Sequence, residues 1–109
     1  MLKGYQKKYL KGLAHRLKPV VIIGQNGLTD KVVLNTIDAL KKHELIKVKF
    51  IDHKERGKKK TIIESLEQQT QSDLVGLIGH VAIFFKPHAD PVKRLIALPG
   101  KSQPAFPEK

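Results

Sequence analysis

The stretch of this chain best suited to chemistry is Gly24-Gln25-Asn26-Gly27. It follows Val20–Ile23, a run of β-branched residues, and precedes an amphipathic stretch that begins after Thr29. A strand that turns into a helix exposes main-chain N–H groups beside a helix N-terminus, and such a junction attracts anions. Glycines let a ligand approach the backbone closely, and Gln25 and Asn26 add neutral donors. Taken alone, the turn is compatible with no ligand, with the phosphate of a nucleotide cofactor, or with the backbone of a nucleic acid.

Cofactor readings fit poorly. A dinucleotide fingerprint needs a third glycine that this loop lacks, and Asp52 at the end of the next strand is isolated support. A triphosphate loop needs Gly-Lys-Ser/Thr, whereas this chain reads Gly27-Leu28-Thr29. No cofactor and no small-molecule substrate are expected.

Charge separates the remaining two. The chain carries 21 Lys and Arg against 10 Asp and Glu, a formal +11. Residues 1–60 hold sixteen basic and five acidic side chains, and the remainder hold five of each. Between Thr61 and Phe85 there is no Lys or Arg, but Glu64, Glu67 and Asp73 are present. A one-sided basic domain attracts polyanions, because phosphate contacts release condensed counterions. A membrane partner is not expected, since no apolar run approaches the roughly 18 residues needed to span a bilayer. The favoured occupant is therefore a nucleic acid, with a basic module docking an acidic protein as the alternative.

The elements that must position this turn are legible in the hydrophobic pattern. Leu10, Leu13, Ala14 and Leu17 predict a helix over 5–17, with Lys7, Lys11, His15 and Lys18 on a second stripe. Pro19 ends it, and its C-terminal end could lie near the turn. Val20–Ile23 lacks alternation and predicts a central strand buried on both faces. Thr29 is a candidate N-cap for a second helix that carries Val33, Leu34, Ile37 and Leu40 and ends near His43. Leu45–Ile51 alternates, with Ile46, Val48 and Phe50 inward and Lys47 and Lys49 outward. A charged connection over 52–60 leads to a third helix over 59–71, with Ile62, Ile63 and Leu66 inward. Gly79-His80 joins Leu74–Ile78 to Val81–Phe85 as a hairpin, and Arg94–Leu98 is a candidate edge strand.

The order α-β-α-β-α-β-β predicts an α/β fold, a two-layer sandwich with a mixed sheet. Residues 1–98 form one domain and 99–109 a Pro-rich flexible tail. Phe84 and Phe85 are adjacent, so one faces the core and the other is free to stack on a base or pack on a helix, packing being favoured. The scarcity of aromatics points to reading of backbone and shape rather than sequence. With no cysteine and no secretory signal, a cytoplasmic location is expected; a monomer is expected, although the sequence does not say whether the chain self-associates.

Catalysis finds no constellation. His15, His43, His53, His80 and His88 lack metal spacing. Asp52 and Glu55 have no nucleophile partner, and Ser65, Ser72 and Ser102 lie in no triad pattern. The Lys58–Lys60 run reads as a solvated face and stands outside the expected site.

The stretches "LKGLAHRLKPVVIIGQNGLTDKVV", "HELIKVKF" and "IGHVAIFFKP", with a late "ALP", resemble the bacterial YhbY family of stand-alone CRM (chloroplast RNA splicing and ribosome maturation) domains. The resemblance runs over roughly residues 5–98. It implies a non-enzymatic RNA-binding module associated with rRNA of the pre-50S particle, in assembly of the large ribosomal subunit. It also implies a fold like the C-terminal domain of translation initiation factor three. Carried over, the family's G-x-x-G loop is Gly24, Gln25, Asn26 and Gly27, and its basic helix supplies Lys7, Lys8, Lys11, His15, Arg16 and Lys18. Two positions depart from the common pattern. Gln25 stands where many members have arginine, and Phe85-Lys86 stands where the last strand often closes with Tyr-Arg, which leaves Lys86 as a point charge.

Overall fold

Three helices and four strands form in the expected order: α1 Gly4–Ala14, β1 Val21–Ile23, α2 Asp30–His43, β2 Leu45–Phe50, α3 Arg56–Thr70, β3 Asp73–Ile78 and β4 Val81–Phe85. They belong to a computed structural model that describes residues 2–53 and 55–99. The tail expected over 99–109 lies, past Pro99, outside the described residues. The strands make one sheet in the order β1-β2-β4-β3. β1 runs parallel to β2, and the other pairs are antiparallel, so the sheet is mixed.

Alternation along the strands decides how the sheet is covered. Ile46, Val48 and Phe50 of β2 join Val21, Ile23, Ala82 and Phe84 in a core closed by α2 and α3. On the other face Leu45, Val75, Ile83 and Phe85 pack under Leu10 and Ala14 of α1. The helices thus divide between two faces, giving three layers where element order alone suggested two. The Phe84-Phe85 pair shows why. Neighbouring residues on a strand point to opposite faces, and both rings are buried. Each contributes about 2–3 kcal/mol only if its own face is covered. Neither ring is left to stack on a base.

In α1 and β1 three features differ from expectation, each for a visible reason. α1 stops at Ala14 rather than at residue 17. Lys47 Nζ donates to the main-chain oxygens of Leu17 (3.0 Å) and His15 (3.5 Å), holding the chain as it crosses the sheet toward β1. The buried stripe of α1 is Gln6, Leu10 and Ala14, while Leu13, Leu17 and both tyrosines, Tyr5 and Tyr9, stay exposed. β1 is an edge strand, not a central one. Its Val21 and Ile23 point into the core, but Val20 and Ile22 are about half exposed, because α1 packs over the β2–β4–β3 side of the sheet.

Arg94–Leu98 adds no strand; a short 3-10 turn at Pro91–Lys93 leads into it. Its amides are satisfied by a side chain instead of a ladder. Glu44 Oε1 accepts from Leu95 N (2.7 Å) and Ile96 N (2.9 Å), and Oε2 accepts from His88 N (2.7 Å). That carboxylate is fully buried. It ties the segment after β4 to the α2–β2 junction and brings Leu98 into the core under α1.

α3 begins at Arg56, ahead of the expected start, and buries Ile63 and Leu66 as its pattern requires. Lysines in a first turn oppose the helix dipole. Lys59 resolves this by burial against acceptors, its Nζ meeting Gly79 O (3.0 Å) and His80 Nδ1 (3.2 Å) of the β3–β4 hairpin. Lys58 pairs with Glu55 at 3.4 Å. The lysine run is therefore partly structural rather than a purely solvated face.

Candidate nucleic-acid interface

The amide of Gly27 donates to Gly24 O (3.0 Å), closing a turn with Gln25 and Asn26 exposed at its corners. Gly27 has φ +66°, a conformation that a side chain strains, and a Cβ there would lie 3.4 Å from His53 Nε2. At Gly24 a Cβ would meet only Ile51, at an ordinary 3.7 Å. Gly27→Ala should therefore lower stability by about 1–2 kcal/mol, whereas Gly24→Ala should be nearly neutral. The urea midpoints of the two variants check this difference.

His53 supports the turn from below. Its Nε2 lies 2.8 Å from Gln25 O, and since a carbonyl can only accept, Nε2 carries the proton. The imidazole sits at φ +54° on the backbone, and its own amide donates to Asp52 Oδ1 at 2.7 Å. Sequence reasoning weighed His53 only as a metal ligand and missed this role. No local signal could have found it, because its partner is 28 positions away.

The anion-binding character of the junction is narrower than the motif suggested. The Gly27 amide is engaged within the turn. α2 starts only at Asp30, its Val32 amide is capped by Thr29 Oγ1 (3.2 Å), and the Asp30 side chain stands in its first turn. The amides of Gln25 and Asn26 meet no acceptor among the described residues, and neither do those of Asp30 and Lys31 in the first turn of α2, where the Asp30 carboxylate stands.

Strand register shows what lies beside the turn. Ile22 pairs with Lys49, which pairs in turn with Val81. Phe50 N donates to His80 O (2.8 Å), so the β3–β4 hairpin and the Gly24–Gly27 turn stand at the same end of the sheet. On the α1 side of that end a cleft of about 230 Å³ is lined by Lys11, His15, Pro19, Lys47 and Ile78, among others. Lys11 reaches it across Gly76, where its Cε lies 2.5 Å from the place a Cβ would occupy. A glycine on β3 is thus what lets this lysine lie flat on the sheet.

Of the expected residues, those on the segment that leaves α1 meet the start of β1, where Val20 N donates to Lys47 O, and the turn follows at the other end of that strand, about 13 Å away. Lys11 and His15 line the cleft, and Arg16 and Lys18 are exposed on the crossing segment. Lys7 and Lys8 sit nearer the start of α1, where Gln6 Nε2 donates to Pro99 O (3.4 Å). Among the described residues none of Lys7, Lys8, Lys11, Arg16, Lys18 and Lys49 has an acidic partner.

Lys86 is not brought to this end. It follows Phe85, which pairs with Leu45 at the opposite end of β2, and its Nζ donates to Thr70 O (3.1 Å) at the close of α3. It serves a helix C-terminus, away from the turn. Lys49, opposite Ile22, and Lys47, beside Val20, lie nearer to it. Their outward alternation was visible in the sequence, but which neighbours they faced was not. Among the described residues no three His, Asp or Glu side chains cluster as metal ligands, and no helix is long and apolar enough to cross a membrane.

Comparison with known proteins agrees with this architecture. A Haemophilus influenzae protein named "RNA-binding protein" is 45% identical over 82 residues, covering 75% of this chain and 82% of its own. A Pseudomonas aeruginosa protein named "Probable RNA-binding protein PA4753" is 42% identical over 90 residues, covering 83% of this chain and 86% of its own. A Staphylococcus aureus protein solved in solution superposes with a TM-score of 0.74 at 32% identity, over 89% of this chain and 100% of that one. Residues 2–86 match the profile described as the CRS1 / YhbY (CRM) domain. The chain belongs to the CRS1 / YhbY (CRM) domain family.

Proposed function

We propose that this protein is a non-enzymatic RNA-binding protein that acts in the cytoplasm as a monomer on the rRNA of the pre-50S particle, in assembly of the large ribosomal subunit. One observation carries the RNA reading. Basic side chains without acidic partners run beside β1, from Arg16 and Lys18 ahead of Val20 to Lys49 opposite Ile22, and β1 leads into the amides of Gln25 and Asn26. Unpaired cations beside free backbone donors suit a chain of phosphates. Two relatives named for RNA binding support the same reading. The ribosomal setting follows from the family resemblance.

Within this reading Gly24–Gly27 holds a backbone phosphate, and Lys11, His15, Arg16 and Lys18 continue the track, with Lys7 and Lys8 at its far end. Filter binding across a salt series tests it. RNA affinity should fall steeply with salt, and Lys11→Ala and Lys18→Ala should each reduce the slope by about 0.7–0.9. Indifference to RNA at low salt would end the proposal. Co-sedimentation with precursor rather than mature large subunits tests the setting separately.

A further inference from the structure

We infer that the uncovered face of β1 and β2, beside the Gly24–Gly27 turn, is a floor for unpaired bases, so that the RNA presents a short single-stranded segment here. The inference rests on the RNA reading above and specifies the class of RNA. Val20 and Ile22 lie on the face opposite the buried Val21 and Ile23, and the register sets Ile22 beside Lys49. Ile51, next in alternation after Lys49, abuts Gly24. Val20, Ile22 and Ile51 are 51%, 47% and 55% exposed. Three β-branched side chains thus make one aliphatic strip between the turn and the segment that leaves α1.

An exposed aliphatic strip on a protein of charge +11 restricts its occupant. A second copy of this chain would bring like charge to Lys47 and Lys49. A duplex would offer phosphates and sugars only, with its bases shielded from a flat surface. An unpaired nucleotide offers what the strip and its rim can use together: a flat, weakly polar base against Ile22 and Ile51, and a phosphate against Lys49 or the Gln25 and Asn26 amides. From residue 20 to residue 24 the strip runs about 13 Å, room for roughly two nucleotides. Among the described residues Phe50, Phe84 and Phe85 are all buried, so aliphatic contact is the means this strip offers.

Ile22→Thr and Ile51→Thr test this, because threonine keeps the β-branch and the exposed sites tolerate it. Binding would be measured across a salt series to a single-stranded oligonucleotide and to the same sequence annealed into a duplex. The wild type should prefer the single strand. Each variant should weaken single-strand binding about fivefold with an unchanged salt slope, and leave duplex binding alone. Equal affinity for both forms, untouched by either variant, would overturn the floor while leaving the RNA reading intact. Failure to bind any RNA would remove both. Capture of oligoglutamate that depends on Ile22, without RNA binding, would reassign the strip to an acidic protein.

Discussion

Replacing Gln25 and Asn26 together by aspartate should lower RNA affinity by roughly a hundredfold and leave the fold almost untouched. Both side chains are exposed at the corners of the turn, and aspartate is a good turn residue. The bond that closes the turn, Gly27 N to Gly24 O, involves neither side chain. The effect is electrostatic. A carboxylate about 5–6 Å from a phosphate costs roughly 1.5 kcal/mol at an effective dielectric near 40. Two of them cost about 3 kcal/mol, or a little over two decades in affinity. Titration of RNA against the double variant, beside its urea denaturation curve, measures both halves of the expectation. A folded variant that binds as tightly as the wild type would make the turn merely a turn.

Glu44→Ala should destabilise the protein by about 4 kcal/mol, a large share of a typical total near 10 kcal/mol. Removal of the carboxylate leaves the amides of His88, Leu95 and Ile96 without their acceptor. An unsatisfied donor costs about 1–3 kcal/mol when buried, and because these three amides are part-buried the lower end applies to each. Glu44 sits at φ +63°, and alanine inherits the same backbone strain, so the difference isolates the carboxylate. Glu44→Gln should recover only part of the loss, since its amide NH₂ must face at least one N–H. Thermal and urea unfolding of the two variants provide the measurement. A loss below about 1 kcal/mol would show that the segment after β4 docks without this clasp.

Glu44 also marks the boundary of what the sequence could reveal. Local pattern was enough for the helix and strand inventory: the alternation of Leu45–Phe50, the Thr29 cap and the Gly79 hairpin all stand as read. It failed where distant partners decide the outcome. Val20–Ile23 reads as central because all four residues are apolar, yet β1 is an edge strand whose second face was left open by the placement of α1. Arg94–Leu98 looks like a strand because its real acceptor is a glutamate 51 and 52 positions away. The site divides the same way. The turn and the basic helix were visible as types and spacing. The support from His53, the slot that Gly76 opens for Lys11 and the misplacement of Lys86 all depend on register across the sheet.

The exposed tyrosines of α1 have an optical consequence. Tyr5 and Tyr9 are the chain's only two tyrosines, and there is no tryptophan. Tyrosine emission under ultraviolet excitation therefore originates from a single helix. Whatever docks along that helix is watched by an unlabelled protein against a background that the rest of the molecule leaves dark.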